Sequence, residues 1–402
     1  KRRGMFRLWN IALINISFIL GAFGIFINRG GPVPSVHSFG ASTLGWVFLL
    51  FLGLVAFSSF GVFFYRIALL RSSGNLESAL SRESAFLVNN LLFLGIAFVT
   101  LWGVVFPIIS ELVLGRTITV GQPFYNSVNG PLFLALIFLM AIGPLLPWRN
   151  ATWGSVGRAI SIPGAISLII TAIVVVIEVR NISVIIGVAV STLVAVSITQ
   201  EWIRGTLARH RATGSVYPLA FLQLVASNRP RYGGYIVHLA VIMLSFGIIG
   251  STFYNIERDV ILSIGQSADV GDYTVQFVAT ETTTFADRTE RTATMDITKN
   301  GSFVGTIEAW HGIYPSFNML STRAGIRSTP IEDLYVIFSE VQPDGQTAAF
   351  RLLLNPMIWW MWFAGPFVIL GTIVALWPTP QRATAVVTNA SQRGTLPTGR
   401  VS

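Results

Sequence analysis

The chain has 402 residues, of which 52% are hydrophobic and only 11% charged, and its mean hydropathy is +0.66. That composition excludes an ordinary soluble domain. The formal charge of +9 does not point to nucleic acid, because the basic residues lie beside membrane-length apolar runs, where anionic lipid accounts for them.

In chain order, apolar runs predict eight membrane-spanning helices over 8–28, 42–65, 86–110, 131–147, 159–178, 182–200, 234–254 and 356–377. Pro107, Pro144 and Pro366 fall within them, which membrane helices tolerate. The chain starts at Lys1 rather than methionine, and its first span ends Ile27-Asn28-Arg29-Gly30 rather than at a small-residue cleavage site. It therefore reads as part of a larger or split protein. With the N-terminus inside, the predicted inner segments carry 17 of the 27 Lys and Arg residues, and the three short outer loops carry Arg29, Arg116 and Arg180. Such a bias sets orientation. It makes 66–85, 148–158, 201–233 and the tail cytoplasmic.

Residues 256–352 hold 13 of the 18 acidic residues and read as a β-rich extracytoplasmic domain. Tyr273, Val275, Phe277 and Ala279 alternate with mostly polar neighbours, and Asn300-Gly301 signals a tight hairpin. A further strand pair is expected around 334–341 and 348–354, joined by Pro343-Asp344-Gly345. The expected organisation is a helical domain of seven spans (1–255), the β-rich domain (256–352), a last transmembrane helix (353–379) and a cytoplasmic tail without fixed structure (380–402). The fold class is an all-α polytopic membrane protein of about eight transmembrane helices, with a small β-rich extracytoplasmic domain inserted before the last helix.

The chain contains no cysteine, which removes disulfides, thiolate metal sites and a cysteine nucleophile. Either an externally exposed membrane protein does without free thiols, or an enzyme acting on a thiol carries no competing one. The four histidines are His37, His210, His238 and His311. His238 sits inside an apolar run, where an ionisable side chain marks a functional site and needs a partner; neutral imidazole is also a good ligand for iron, copper or zinc. The predicted span puts it about one turn from the inner end, with Tyr235, Ile242, Ser245 and Ile249 on the same stripe. His37 belongs to the first outer loop, so most of the membrane thickness separates the two and they cannot share an ion. His311 could meet His37, and His210 lies on the side of His238, although both read first as solvated surface residues. The plain alternative for His238 is a buried histidine bonded to a backbone carbonyl.

Arg231-Tyr-Gly-Gly-Tyr235-Ile-Val-His238-Leu resembles the hallmark of the CcmF-type cytochrome c haem lyases of bacterial cytochrome c maturation. Asn28-Arg-Gly-Gly with Ser35-Val-His37-Ser-Phe, Glu83-Ser-Ala-Phe-Leu-Val-Asn89-Asn90, and Val120-Gly-Gln122-Pro123-Phe-Tyr125-Asn126 followed by Asn129-Gly-Pro-Leu are similar to successive family motifs. Tyr314-Pro-Ser-Phe-Asn, Thr322-Arg323, Asp333-Leu-Tyr-Val and Asn355-Pro356 extend the resemblance nearly to Pro378.

The resemblance implies a multi-pass protein of the bacterial inner membrane that joins haem by thioether bonds to Cys-x-x-Cys-His motifs of apocytochrome c. It implies His37 as one axial ligand of substrate haem at the external face and His238 as one axial ligand of a b-type haem in the membrane, with haem iron the metal at both. Gln122, Tyr125, Asn126, Tyr314 and Arg323 would contact haem propionates or the apocytochrome, and Tyr235 would neighbour the internal haem. Implied partners are apocytochrome c, a CcmE-like haem chaperone, a CcmH-like subunit and a quinol electron donor. The family's tryptophan-rich haem-binding segment and the first histidine of each pair lie upstream of the equivalent of Lys1, so each ligand pair is expected to be halved here. The alternatives are a haem transporter and a non-enzymatic redox or assembly subunit.

Overall fold

A computed structural model of the chain describes residues 7–30, 44–70, 78, 80–146, 152–177, 180–315, 319–342 and 346–378. Eight of its helices are long and apolar enough to cross a membrane: α1 (Arg7–Gly30), α2 (Leu44–Tyr65), α4 (Arg82–Leu114), α5 (Gln122–Ile142, continued by a 3-10 turn to Leu145), α6 (Trp153–Val176), α7 (Ile182–Thr213), α9 (Arg229–Phe253) and α10 (Ile358–Leu376). Two short helices, α3 (Ile67–Leu70) and α8 (Tyr217–Ser227), complete the set among the described residues. The long helices expose large apolar side chains, such as Trp46, Phe57, Leu112 and Trp362. That is the expected surface of helices solvated by lipid. All eight predicted spans are present.

The polar ends of the helices differ from expectation. Residues 201–233 were expected as a cytoplasmic loop, yet α7 runs on to Thr213. It stops where Gly214 takes a left-handed conformation, φ 67°, and its N–H reaches the His210 carbonyl. Pro218 and Pro230 then sit in the first turns of α8 and α9, where a missing N–H leaves no bond unmade. The stretch from Gln122 to Asn126, expected in an outer loop, instead forms the first turns of α5 behind Gly121.

Helix α7 is the most buried span. It packs against α5, α6, α8 and α9, and α9 packs closely along α10. Between α9 and α10 the described residues form nine strands: β1 (Ile256–Ser263), β2 (Ser267–Val270), β3 (Tyr273–Thr284), β4 (Thr289–Lys299), β5 (Ser302–Tyr314), β6 (Met319–Arg323), β7 (Gly325–Ser328), β8 (Glu332–Val341) and β9 (Thr347–Pro356). They form two sheets, ordered β1-β9-β8-β7 and β2-β3-β4-β5-β6. The β-rich domain before the last helix is therefore a sandwich. Its core contains Phe277, Met295, Ile297, Phe338, Phe350 and Leu352, all essentially inaccessible.

Tyr273, Val275 and Phe277 face this core as their alternation predicts. The β3–β4 register then slips between Phe277 and Ala279, which turns Ala279 outward. Asn300 and Gly301, with φ of 49° and 78°, make the two-residue hairpin between Lys299 and Ser302. Strands β8 and β9 pair as expected; their Pro343-Asp344-Gly345 connection lies outside the described residues, as does the tail from 379. Lys299 of β4 bonds Glu332 of β8 and ties one sheet to the other, and that bond holds the Lys299 ammonium above its ordinary pKa.

Candidate functional site

Helix α9 begins at Arg229, before the predicted span, so His238 lies about two and a half turns into the helix. It is half-buried, and its Nδ1 is fully buried with no hydrogen-bond partner among the described residues. The carbonyl bond of the plain alternative is thus not made at that nitrogen. One turn back, Tyr235 is only 3% exposed, and its ring centroid is 6.5 Å from the His238 ring. The Tyr235 hydroxyl accepts from Arg231 Nε at 2.9 Å, and the other arm of the Arg231 guanidinium pairs with Glu201 on α7. Tyr232 packs edge-on against Tyr235, with centroids 5.7 Å apart.

Tyr235 and Ile242 pack into a buried cluster with Val194 and Ile198 of α7 and Ala141 of α5. Ile249 lies against Gly187 of α7, where a Cβ would meet its Cδ1 at 2.8 Å. The stripe that carries His238 therefore faces the most buried helix of the bundle. Ser245, two turns further on, donates its hydroxyl to the Val241 carbonyl at 2.9 Å and stays small at that surface.

The Glu201–Arg231 and Gly187–Ile249 contacts make α7 and α9 antiparallel neighbours. His210 lies beyond Glu201 towards one end and His238 beyond Arg231 towards the other, so they stand about 24 Å apart along the helices at 1.5 Å per residue. His210 is also engaged, with Nδ1 2.7 Å from the Ser215 carbonyl and its ring stacked on Tyr217 at 4.3 Å. It cannot be the second ligand of one site with His238.

His311 was expected to be solvated and is buried at 6% exposure inside the sandwich, 4.6 Å from the Phe338 ring. Its place in phase with Ile307 and Ala309 on β5 is the signal that foretold this. Burial, with the nearby Arg291 cation, lowers its pKa below that of ordinary imidazole.

His37 lies outside the described residues. Gln122 and Asn126 are exposed at the start of α5, while Tyr125 packs against Gly103 of α4, where any Cβ would clash with its ring. Tyr125 thus closes a helix contact. Tyr314 ends β5 with its ring 5.8 Å from the Arg288 guanidinium, and the exposed Arg323 lies opposite Trp310 in the β5–β6 ladder. Four strand positions, about 13 Å, separate these two backbones, so a molecule meeting both would span that pair of strands.

Glu201 was missed in the sequence. Its signal was that it is the sole acid among the five arginines of 201–233. Among the described residues, no three His, Cys, Asp or Glu side chains cluster as a metal site. The fit to haem would rest on His238: a half-buried imidazole on this face, with no hydrogen bond at Nδ1 among the described residues, could hold haem iron from one side.

Residues 253–356 match the family model of the CcmF C-terminal β-sandwich. The chain is 29% identical over 379 residues to the cytochrome c-type biogenesis protein CcmF of Haemophilus influenzae, covering 94% of this chain and 57% of that protein. It is 27% identical to CcmF of Escherichia coli, covering 94% and 56%. Another Haemophilus influenzae relative, the cytochrome c-type biogenesis protein NrfE, is 25% identical over 395 residues, with coverages of 94% and 57%. A solved structure of the cytochrome c heme lyase CcmF superimposes with a TM-score of 0.72 at 25% identity, covering 94% of this chain and 56% of that one. The chain thus spans little more than half the length of the relatives it matches.

Proposed function

Because the chain is a CcmF-type protein, we propose that it is the part of a membrane haem lyase that supplies one axial histidine to each of two haem sites. The observation that carries this reading is the buried, unpartnered Nδ1 of His238 on the α9 stripe facing α7.

The substrates are haem and apocytochrome c. In the joining reaction, each cysteine S–H of a Cys-x-x-Cys-His motif adds across a haem vinyl double bond: sulfur bonds to one carbon, hydrogen to the other. His37, in the loop between α1 and α2, orients the substrate haem at the face where the sandwich stands. The chain carries no thiol of its own to compete with the apocytochrome cysteines. A b-type haem at His238, when bound, supplies electrons that keep the substrate iron reduced, with a quinol as donor. His238 holds that group, and the apolar α5–α7–α9 cluster keeps water from it. A CcmE-like chaperone delivers haem, and a CcmH-like subunit presents the apocytochrome. The sandwich and the α1–α2 loop are extracytoplasmic, and both termini of the chain are cytoplasmic.

The test is His238→Ala in the protein as its host makes it. The expected outcome is loss of the b-haem absorbance with membrane insertion unchanged. An intact haem spectrum overturns the reading.

A further inference from the structure

The only acid in α7 meets the one arginine that precedes His238 on the inner face of α9. Arg231 forks between two partners: one arm pairs with Glu201, and Nε donates to the Tyr235 hydroxyl at 2.9 Å. The guanidinium also lies 5.6 Å from the Tyr235 ring centroid and 5.9 Å from that of Tyr232. Tyr235 is in turn the ring beside His238. The seam holding this chain is partly enclosed: the Arg231 and Glu201 side chains keep 36% and 23% of their surface, while Ser197 Oγ and Trp202 Nε1, on either side of Glu201, are buried without partners among the described residues. A charge partly withdrawn from water is felt further than one in bulk water.

Lipid-interface anchoring would leave both charges facing outward. Here they face each other across α7 and α9, and the connection continues to the histidine through a buried phenol. We propose that Glu201 and Arg231 are a positioning pair that fixes the His238 turn of α9 and balances charge beside the haem it holds, an inference that rests on His238 being a haem ligand. Neither residue touches the reacting atoms.

At a haem held by His238 the paired charges would largely offset each other, so removing one would expose the other. A lone Arg231 cation favours the ferrous state, and a lone Glu201 carboxylate favours the ferric. The experiment is a redox titration of the purified protein, followed at the absorbance bands that His238→Ala removes. Glu201→Gln is expected to raise the midpoint potential, Arg231→Gln to lower it, and the double variant to return towards wild type. A merely structural bridge would shift both single variants the same way, and that result overturns the proposal. Where Glu201→Gln does not insert, Arg231→Lys carries the test. It keeps the charge and is expected to sit near wild type, and a potential displaced as far as that of Arg231→Gln overturns the proposal. Bands that survive His238→Ala overturn the haem reading and the proposal with it. Bands lost in His238→Ala but indifferent to both single variants overturn the proposal alone.

Discussion

Gly233 of α9 and Gly371 of α10 meet backbone to backbone. A Cβ on Gly233 would stand 2.6 Å from the Gly371 carbonyl oxygen, and one on Gly371 would stand 2.7 Å from the Gly233 carbonyl oxygen. Within lipid, helices associate through such close approach of small residues rather than through the hydrophobic effect. Gly250 continues the contact, 2.8 Å in the same sense from the Pro356 carbonyl where β9 turns into α10.

Backbone cannot move aside as a flexible side chain can, so Gly371→Leu must push α9 and α10 apart. Overpacking of this kind costs about 1–3 kcal/mol. The expected outcome is a lower melting temperature in detergent, and Gly234→Ala, at a position with no neighbour within 4 Å, is expected to leave it unchanged. Equal melting of the two variants would show that the helices do not meet there.

The sandwich has its own core, and Phe338 sits at its centre between Phe350, stacked at 5.5 Å, and His311. Phe338→Ala leaves a cavity between two sheets that cannot close on it. The expected cost is about 3–5 kcal/mol, read as faster proteolysis of residues 256–356 while the spans stay protected. Val278→Ala, on the outer face, should match wild type.

His311 makes the stability of that domain depend on pH. Burial and Arg291 lower its folded-state pKa, with Glu340 opposing. A lowered folded pKa means that the unfolded chain takes up the proton first. The contribution is therefore fully present above about pH 6.5, the ordinary imidazole value, and is lost as pH falls through the lowered folded pKa. His311→Leu removes both the titration and an unpartnered buried nitrogen. Melting between pH 5 and 7.5 is expected to show a flatter profile in the variant. A slope identical to wild type would assign the dependence to other groups.

The spans were legible because each is a continuous apolar run, and lipid imposes that on any single crossing. The ends were not, because a helix leaving lipid no longer needs apolar residues. From Gln200 to Thr213, α7 reads as a basic loop, and only the Gly214 turn marks where it stops. Residues 229–233 read as part of the same loop, and the helix of α9 begins before the predicted span. The sandwich alternation was readable up to Phe277, where one extra residue in β3 inverted it for Ala279. His238 itself was legible as a costly side chain. Its link to Glu201 was not, since a pairing across separate helices leaves no local pattern beyond an isolated acid among arginines.

His37 and His238 should fail separately. α1 and α9 are the first and seventh spans, so with one crossing each they run in the same direction, and their ends at Gly30 and Phe253 lie on the same face. From His238 to the end of α9 at Phe253 is about 22 Å of helix, too far for one iron to be shared with a ligand at that face. If His37 and His238 serve separate haems as proposed, His37→Ala is expected to reduce holocytochrome c to background while keeping any b-haem bands that His238→Ala is expected to remove. Haem-stained gels report the first and difference spectra of membranes the second. Normal cytochrome yield would make His37 an ordinary loop residue, and simultaneous loss of both signals would mean that the two histidines serve one site.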